Sequence, residues 1–455
     1  MTRILFSVSL VVSLFLVPNL SIAQAKKNVA IIAKADKFYQ NSEYYMAAYN
    51  YQQAAATDTA SSYLTAQLAE CYRYLFDYKN AEPLYRKLTL YYKEKYPVAR
   101  FWYASILKDN GEFTTAINNF EFFRSETEQN PDFELELYKE KAKQEINDCK
   151  LLVEEDKKEA TKTYGFKLLP QPINSASDDF APALGENDSA LVVTSSKAHA
   201  NNLNPDGHTD VHRFIKTGDT TWQAVSHAHH DKFSGLNSHY SESSGSFTAD
   251  KRKYYFTRCD EQIVLDNHRE FNCAIYVSYN ENGKWGTAIR LNENINAQGQ
   301  WNAQPCVSPD GSLLFFVSKR PGGAGMHDIW LSTSNGDDQW LPPQNLFGVN
   351  TMYMDVSPKY DASQNVLFFS STGMGGYGGL DIFMTKAEDQ FSKIYHLKKP
   401  FNSNRDDFFF TPGKKKGYLT SNRKGGFGND DIYSFDIENN LSDFMQEVIS
   451  QTQTK

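Results

Sequence analysis

Three closely spaced histidines are the best candidates for metal ligands in this sequence. His227, His229 and His230 lie close together, and His208 and His212 precede them. Neutral imidazole is a common ligand of transition metals. A metal site usually adds further ligands at a fixed spacing, and no carboxylate accompanies these histidines in that way. We therefore expect a solvated loop here, and we predict no metal and no cofactor for the chain.

Glycine-rich segments that end in aspartate recur three times and could offer oxygen ligands to calcium. Asp328, Asp381 and Asp431 close these segments, and Asp430 adds a neighbouring carboxylate in the last one. Calcium takes about 6–8 oxygen ligands, whereas each segment supplies one obvious carboxylate. Aspartate more commonly caps such turns by accepting backbone N–H groups. We expect that structural role for all three aspartates.

The five cysteines show no Cys-x-x-Cys spacing of the kind found in zinc sites and redox motifs. Cys259 and Cys273 flank a polar connection between two expected strands, so a disulfide can form if they are cross-strand neighbours. The alternative is a pair of reduced thiols. We expect Cys71, Cys149 and Cys306 to be buried thiols.

The Gly-x-Ser-x-Gly motif of serine hydrolases is absent, and we predict no catalytic residue.

A repeat of aromatic and small residues predicts helices in the N-terminal part of the chain. Tyr44, Ala47 and Tyr51 have the spacing i, i+3, i+7, which places them on one face of a helix. The same trio returns after 34 and then 35 residues, a period typical of stacked helix pairs. The later copies are Tyr78, Ala81 and Tyr85, then Phe113, Ala116 and Phe120, and a small residue keeps the same step at Ala35, Ala69 and Ala104.

This pattern resembles the tetratricopeptide repeat over three units. The resemblance implies an α-solenoid across residues 28–160, in which residues 134–153 form the capping helix that such arrays need. It also implies a concave groove that holds a peptide or a helix of a partner protein. Repeat-defining positions face the neighbouring helix, so we expect the aromatic trios to form core rather than to touch a ligand.

A second repeat of about 50 residues fills the C-terminal part and predicts short β-strands. Each clear copy reads as strand, tight turn, strand, glycine-rich hairpin and strand, and a fourth strand follows. Four strands per unit at this period predict the blades of a β-propeller over residues 164–437. The five copies lie at residues 181–212, 248–276, 308–330, 357–383 and 411–433.

One segment indicates how the propeller closes. Residues 164–169 look like a fourth strand, yet they precede the first copy, and the last copy lacks a fourth strand. We infer that this leading strand completes the final blade, which removes the open edges of the ring. The scheme gives five blades, with six as the alternative. Residues 438–455 are then expected to form a C-terminal tail.

Residues 1–25 have the character of a secretory signal peptide. Arg3 precedes an apolar run, and Ala23 and Ala25 form the small-x-small pattern of a cleavage site. The residue after the expected cut, Lys26, is not cysteine, which argues against a lipoprotein anchor. No later stretch is apolar enough to span a bilayer.

The net charge of the chain is −8, so the chain lacks the excess of basic residues that is typical of nucleic-acid-binding proteins.

The C-terminal repeat resembles TolB-type, WD40-like propeller repeats. Its combination with tetratricopeptide repeats behind a signal peptide resembles Bacteroidetes envelope proteins, some of which are implicated in type IX secretion and gliding motility. Proteins of that type often carry an OmpA-like domain, and no such segment is found in this sequence, so peptidoglycan binding is not carried over. The resemblance implies an exported protein of the periplasm, the outer membrane or the cell surface.

Two functions from different classes fit this organisation. A non-enzymatic scaffold that binds other envelope or outer-membrane proteins would use both repeat domains, since repeat proteins offer extended protein-contacting surfaces. A carbohydrate- or peptide-processing propeller enzyme would need an acidic pair or a Ser/His set at the central channel. We expect the scaffold, without catalysis and without nucleic acid as a partner.

Export gives the first testable prediction. Protein recovered from the periplasm should begin at Lys26, because signal peptidase cuts after small residues such as Ala25. Intact-mass measurement and N-terminal sequencing check this result. Retention of residues 1–25 in the exported protein would contradict a cleaved signal peptide and indicate an N-terminal anchor.

Overall fold

The structure is a computed structural model that describes the chain in segments. These are residues 27–41, 43–157, 163–185, 189–196, 208–218, 220–225, 236–265, 268–438 and 440–453. The expected signal peptide, residues 1–25, lies outside them. The described residues fall into two compact units. The first unit contains residues 27–107, 118–142 and 264–269, and the second contains residues 108–117, 143–263 and 270–453.

Helices fill the N-terminal part of the described chain. They are α1 (residues 27–40), α2 (Tyr44–Ala55), α3 (Ser62–Tyr74), α4 (Tyr78–Tyr91), α5 (Ala99–Asp109), α6 (Phe113–Thr127) and α7 (Phe133–Glu155). The first six helices form three pairs that correspond to the three sequence repeats, and α7 follows as the expected capping helix. This arrangement confirms a helical region of the tetratricopeptide type. In the described segments, no helix has both the length and the apolar character needed to cross a bilayer.

The buried positions of these helices follow the repeat pattern. The alanine of each trio is fully buried, which lets neighbouring helices approach closely, and the aromatic residue four positions later is buried above it. The alanine and the second aromatic residue of each trio therefore form inter-helix core, as expected, whereas the first aromatic residue is half-buried. Tyr85 departs from the expectation in one respect, because it also lines the groove described below. Side-chain caps begin three of the helices: Ser61 accepts the N–H of Leu64 at 3.3 Å, Asp77 accepts the N–H of Asn80 at 3.2 Å, and Asp132 accepts the N–H of Glu134 at 2.8 Å.

Strands dominate the rest of the described chain and form five antiparallel sheets, which confirms a five-bladed β-propeller. The first strand, β1 (Lys167–Leu168), belongs to blade 5. Blade 1 contains β2 (Asp179–Leu184), β3 (Ala190–Ser195), β4 (Asp210–Lys216) and β5 (Trp222–Ala224). Blade 2 contains β6 (Ser241–Phe247), β7 (Lys253–Leu265), β8 (His268–Glu281), β9 (Lys284–Trp285) and β10 (Ile289–Arg290). Blade 3 contains β11 (Asn302–Val307), β12 (Leu313–Ser318), β13 (Asp328–Thr333) and β14 (Gln344–Asn345). Blade 4 contains β15 (Asp355–Asp361), β16 (Val366–Ser371), β17 (Asp381–Lys386) and β18 (Ile394–His396), and blade 5 contains β19 (Asp407–Thr411), β20 (Lys416–Ser421) and β21 (Asp431–Asp436).

The ring closes between the two ends of the propeller sequence. β1 pairs antiparallel with β21, with Lys167 opposite Ser434 and Leu168 opposite Tyr433. The leading strand thus supplies the fourth strand of blade 5, so that this blade has the order β1-β21-β20-β19. This pairing confirms the closure inferred from the sequence, and the alternative of six blades is wrong. Both edges of β21 are paired as a result.

A buried or half-buried asparagine fastens the end of every blade. It lies in the loop that follows the fourth strand, and its side-chain amide bonds both backbone groups of one residue in the third strand. The N–H of that residue donates to Oδ1 at 2.7–3.0 Å, and Nδ2 donates to its C=O at 2.9 Å. The five pairs are Asn237–Val211, Asn296–Ile275, Asn350–Ile329, Asn402–Ile382 and Asn174–Ile432.

The innermost strands bend at a matched position near the ring axis. Ala181, Gln304, Ser357 and Phe409 have positive φ angles between 49° and 55°, and the pairing register shifts beside each of them. In blade 2 the register shifts beside Gly245, where a Cβ atom would lie 2.5 Å from the ring of Tyr254. These bulges turn the middle of every innermost strand toward the central channel.

The C-terminal residues form a helix, which differs from the expected tail. In α8 (Leu441–Gln453), Phe444, Met445 and Val448 share one face and are buried in the core cluster of blades 4 and 5. The ring of Phe444 lies 5.2 Å from that of Phe401, centroid to centroid. Asn440 caps the helix, because its Oδ1 accepts the N–H of Asp443 at 2.9 Å. The spacing i, i+1, i+4 of the apolar residues explains why this segment folds onto the propeller.

The asparagine contacts predict which single substitution weakens ring closure. Asn174→Ala leaves the N–H and the C=O of Ile432 without their partner, so the free energy of unfolding should fall by about 2 kcal/mol or more. Urea unfolding followed by tryptophan fluorescence measures this loss. The matched control, Asn335→Ala, changes an exposed asparagine and should have little effect. Equal stabilities of the two variants would show that the amide does not help to close the ring.

Candidate functional site

The first unit contains an open groove of about 420 Å³. Its walls come from α3, α4, the loop before α5, α5 itself and the start of α7. Aromatic rings are prominent in the lining, which includes Tyr63, Tyr85, Tyr96 and Trp102. Pockets that bind ligands are typically lined by apolar and aromatic groups with a few placed polar groups. The groove therefore has the composition of a binding surface.

A hydrogen-bonded group of side chains fixes the floor of this groove. Glu70 accepts from the guanidinium of Arg73 and from the hydroxyl of Tyr85, each at 2.5 Å. The same guanidinium lies 4.0 Å from the centroid of the Trp102 ring. Burial, and then the Glu70 carboxylate, raises the pKa of the Tyr85 hydroxyl well above its usual value. The phenol therefore stays protonated and continues to donate to Glu70.

The groove has a small excess of negative charge. Asp132 and Glu134 contribute carboxylates and Lys95 an ammonium, while the charge of Glu70 is compensated by Arg73 in the floor. Asp132 also caps α7, because its Oδ1 accepts the N–H of Glu134 at 2.8 Å. Lys95 donates to the Ser62 hydroxyl at 3.1 Å. The groove thus offers acidic groups beside aromatic rings.

A buried ion pair occupies the part of the second unit that contains the end of α5. Lys108 Nζ lies 2.5 Å from Glu145 Oε2 and donates to the backbone oxygen of Gly378 at 3.1 Å. Asp148 accepts the N–H of Gly376 at 3.1 Å. Burial alone would lower the pKa of Lys108, but Glu145 and Asp148 outweigh it and hold that pKa above its usual value. Loss of one partner of such a pair typically costs about 3–5 kcal/mol.

The central channel of the propeller is narrow. A cavity of about 30 Å³ lies among the bulged innermost strands and receives lining residues from all five blades. Its polar lining includes the buried hydroxyls of Ser246, Ser357 and Thr411. This volume holds only molecules of about the size of water, so the cavity has no room for a peptide or a sugar.

A larger cavity of about 410 Å³, the mouth cavity, lies beside the narrow channel. The two are adjacent, because Ser244, Gln304 and Phe409 line both. Half-buried aromatic rings of Phe180 and Trp301 form part of the wall, and the rings of Phe180 and Phe409 stack 6.1 Å apart. Lys319 lies beside Trp301, since its N–H donates to the Trp301 backbone oxygen at 3.1 Å.

A disulfide forms part of the wall of the mouth cavity. The structure joins Cys259 and Cys273, whose Cα atoms are 4.0 Å apart, and both residues line the cavity. The bond links the second and third strands of blade 2, where the other clear copies have a glycine-rich hairpin. Cys71, Cys149 and Cys306 are free and buried.

The three repeat aspartates hold the glycine-rich hairpins by accepting backbone N–H groups. Asp381 Oδ2 accepts from Tyr377 at 2.9 Å and from Gly378 at 2.8 Å. The hydrogen bonds occupy carboxylate oxygens that a cation would need. The corresponding donors are Gly325 for Asp328, and Phe427 and Gly428 for Asp431.

The histidine hypothesis falls outside the described part of the chain. His227, His229 and His230 lie in a segment that the structure does not describe. In the residues that it does describe, no group of three or more His, Cys, Asp or Glu side chains is placed to hold a metal ion.

Comparison with known proteins gives limited likeness. No family model matches the sequence, and no curated protein matches it. Yeast Tom70 is similar over 29% of this chain and 26% of its own, with 22% identity and a TM-score of 0.24. A xylan β-1,4-xylosidase from Bacillus halodurans is similar over 60% of this chain and 56% of its own, with 14% identity and a TM-score of 0.39. An α-L-arabinofuranosidase from Lactobacillus brevis is similar over 60% of this chain and 94% of its own, with 12% identity and a TM-score of 0.40.

These likenesses do not identify a function. This chain spans about a quarter of the Tom70 structure and just over half of the xylosidase. At such identities and TM-scores, they carry no argument about activity. The groove and the mouth cavity are therefore the observations from which function must be argued.

The pKa of Asp148 gives a prediction about pH and stability. Burial raises this pKa to about 7, against the opposing effect of Lys108 and with contributions from Glu145 and Asp381. Because the folded-state pKa lies above that of an unfolded aspartate, the folded state favours the protonated carboxyl of Asp148. The stability that this preference contributes is complete below about pH 4 and is lost as pH rises through 7. The asparagine of Asp148→Asn does not ionise, so the stability of this variant relative to the wild type should increase by on the order of 2–4 kcal/mol as pH rises from 5 to 8.

Urea unfolding at pH 5 and at pH 8, followed by tryptophan fluorescence, measures this increase. The signal reports mainly on the second unit, which contains Asp148 and most of the six tryptophans. The control is Asp250→Asn. Hydrogen bonds from Thr248 and from the N–H of Arg252 lower the pKa of Asp250, so its contribution changes only in acid. Its stability difference from the wild type should stay constant between pH 5 and pH 8. The same constancy in Asp148→Asn would contradict a raised pKa at that site.

Proposed function

We propose that this protein is a non-enzymatic scaffold of the bacterial cell envelope and that the groove of the first unit binds a segment of a partner protein. The groove is the observation that carries the proposal. It combines aromatic rings, a hydrogen-bonded floor and an excess of carboxylates over cations. These features suit an extended segment that presents apolar and basic side chains.

The cellular setting rests on the resemblance of the sequence. The signal-peptide pattern and the combination of the two repeat types support export to the periplasm, the outer membrane or the cell surface. Other envelope or outer-membrane proteins are then the partners. The resemblance to Bacteroidetes proteins favours a part in type IX secretion or gliding. Neither nucleic acid nor peptidoglycan is proposed as a partner.

The alternative is a carbohydrate- or peptide-processing propeller enzyme. Such an enzyme would place an acidic pair or a Ser/His set at the central channel. The described residues that line the narrow channel and the mouth cavity include no Asp, Glu or His. Incubation of the purified protein with xylan, arabinan and casein tests this alternative, since released sugar or peptide would favour an enzyme.

Two matched double variants test the groove. Tyr63→Ala with Glu134→Lys changes one aromatic and one acidic residue of the groove lining. Tyr91→Ala with Glu94→Lys makes the same chemical changes at exposed positions outside the groove. Crosslinking in the native cell identifies the protein that is recovered with the wild type. If the groove holds this partner, the groove variant should recover at least fivefold less of it, and the control variant should recover as much as the wild type.

Quantitative mass spectrometry of the crosslinked partner provides the measurement, and circular dichroism confirms that both variants keep their helices. An equal loss in both variants, or no loss in the groove variant, would contradict the proposed binding surface.

A further inference from the structure

The seam at which the ring closes, between blade 5 and blade 1, brings four carboxylates together. Asp178 and Asp179 lie at the beginning of β2, and Asp430 and Asp431 lie at the beginning of β21. The N–H of Asp179 donates to the backbone oxygen of Asp430 at 2.8 Å, so the two pairs lie side by side. We call this place the closing seam.

One carboxylate oxygen of the closing seam is buried and has no hydrogen-bond partner among the described residues. It is Oδ1 of Asp431, a fully buried residue. In blade 4 the matched aspartate is Asp381, whose Oδ1 lies 3.2 Å from Nε2 of His396 on the fourth strand. The fourth strand of blade 5 is β1, and it has Leu168 at the matched position. The closing strand therefore withholds a polar partner from Asp431, and an unbonded buried oxygen is unfavourable.

A second carboxylate of the closing seam, that of Asp430, lies among like charges. Burial raises its pKa well above the usual value, and the carboxylates of Asp178, Asp406, Asp431 and Asp179 raise it further. No Lys, Arg or His of the described segments forms an ion pair with Asp178, Asp430 or Asp431. Like charges that share a site disfavour ionisation, so the closed seam favours the protonated carboxyl of Asp430.

The seam between blades 2 and 3 has the same backbone contacts without these charges. Its fourth strand ends with the N–H of Leu291, which donates to the oxygen of Ile275 at 3.1 Å. At the closing seam the N–H of Leu169 donates in the same way to the oxygen of Ile432 at 2.9 Å. The residues that match the four aspartates by strand pairing and by the blade-end asparagine contacts are Cys273, Ala274, Trp301 and Asn302. None of these side chains ionises, because the cysteine is in the disulfide.

We propose that the closing seam is a pH-sensitive latch, which acid tightens and which loosens as pH rises. Loss of the proton of Asp430 adds a negative charge beside Asp178 and Asp431, and the repulsion favours separation of β2 from β21. Because residues 169–178 connect β1 directly to β2, this separation strains the pairing of β1 with β21. The latch does not depend on the groove or on the partner proposed for it.

The direction of the effect follows from proton linkage. In an opened seam the carboxyl of Asp430 is solvated and has an ordinary pKa of about 4. The closed seam favours the proton, so its contribution to closure is complete below about pH 4 and decreases as pH rises. Until the pKa of the closed seam is reached, each pH unit favours opening by up to about tenfold.

Hydrogen exchange of the mature chain at pH 5 and at pH 8 tests the proposal. Exchange is resolved to the N–H groups of Leu169 and Leu291 and corrected for the intrinsic rates, which gives a protection factor for each. Between the two pH values, the protection factor of Leu169 should fall at least about tenfold more than that of Leu291. Comparison with Leu291 removes the effect of global unfolding, which exposes both groups.

Three variants assign this additional fall in protection to the aspartates of the closing seam. Asp430→Asn should reduce it to less than about twofold, because the amide does not ionise. Asp178→Asn should reduce it in part, because one of the like charges is removed. The control is Asp337→Asn, which changes an exposed aspartate of blade 3 and should keep the full response of the wild type.

Equal falls in the protection of Leu169 and Leu291 in the wild type would overturn the proposal, and so would greater relative protection of Leu169 at pH 8. A wild-type response in Asp430→Asn would also contradict it. If that variant does not fold, Asp178→Asn decides the matter, since an unchanged response there would show that the carboxylates of the closing seam do not act on one another.

Discussion

The propeller depends on one side-chain amide that is used five times. At the end of each blade the chain leaves the sheet, and a buried N–H and C=O of the third strand need partners there. The side-chain amide of asparagine supplies one acceptor and one donor, so it makes the two hydrogen bonds that the backbone of a neighbouring strand would otherwise make. Asn174 performs this task for blade 5 from a position ahead of blade 1. The interaction that ends the other blades therefore also joins the two ends of the ring.

Much of the fold could be predicted from the sequence because both domains are built from repeats. Each repeat presents the same apolar face or turn several times, and agreement among copies compensates for weak signals in any single one. The buried Ala81 and Tyr85, and the hydrogen bonds that Asp381 accepts from its hairpin, follow directly from such patterns. The strand order of blade 5 followed from one strand without a partner at the start and one missing strand at the end.

Other features could not be predicted, for physical reasons. The five blade-end asparagines share a sequence pattern, because each follows an apolar residue and precedes a small one, as in Ile173-Asn174-Ser175. The pattern does not reveal which backbone groups they bond, because those groups belong to a third strand that only the fold brings beside them. The mouth cavity collects residues from separate blades, so no local pattern reveals it. The amphipathic spacing of helix α8 predicts an apolar face, but it does not identify blades 4 and 5 as the surface against which that face packs.

Ring closure also determines when the protein can finish folding. Asn174 and Ile432 are 258 positions apart, so the closing strand emerges early in synthesis and waits for a partner that is made near the end. Until then, β1 and the open edge of the sheet are available to other chains, and such edges promote association. If synthesis stops before β21 is made, β1 has no partner and the ring stays open, even when the earlier blades are folded. The join therefore acts as a check on full-length synthesis, because only the complete chain hides its edges from proteases and from other strands.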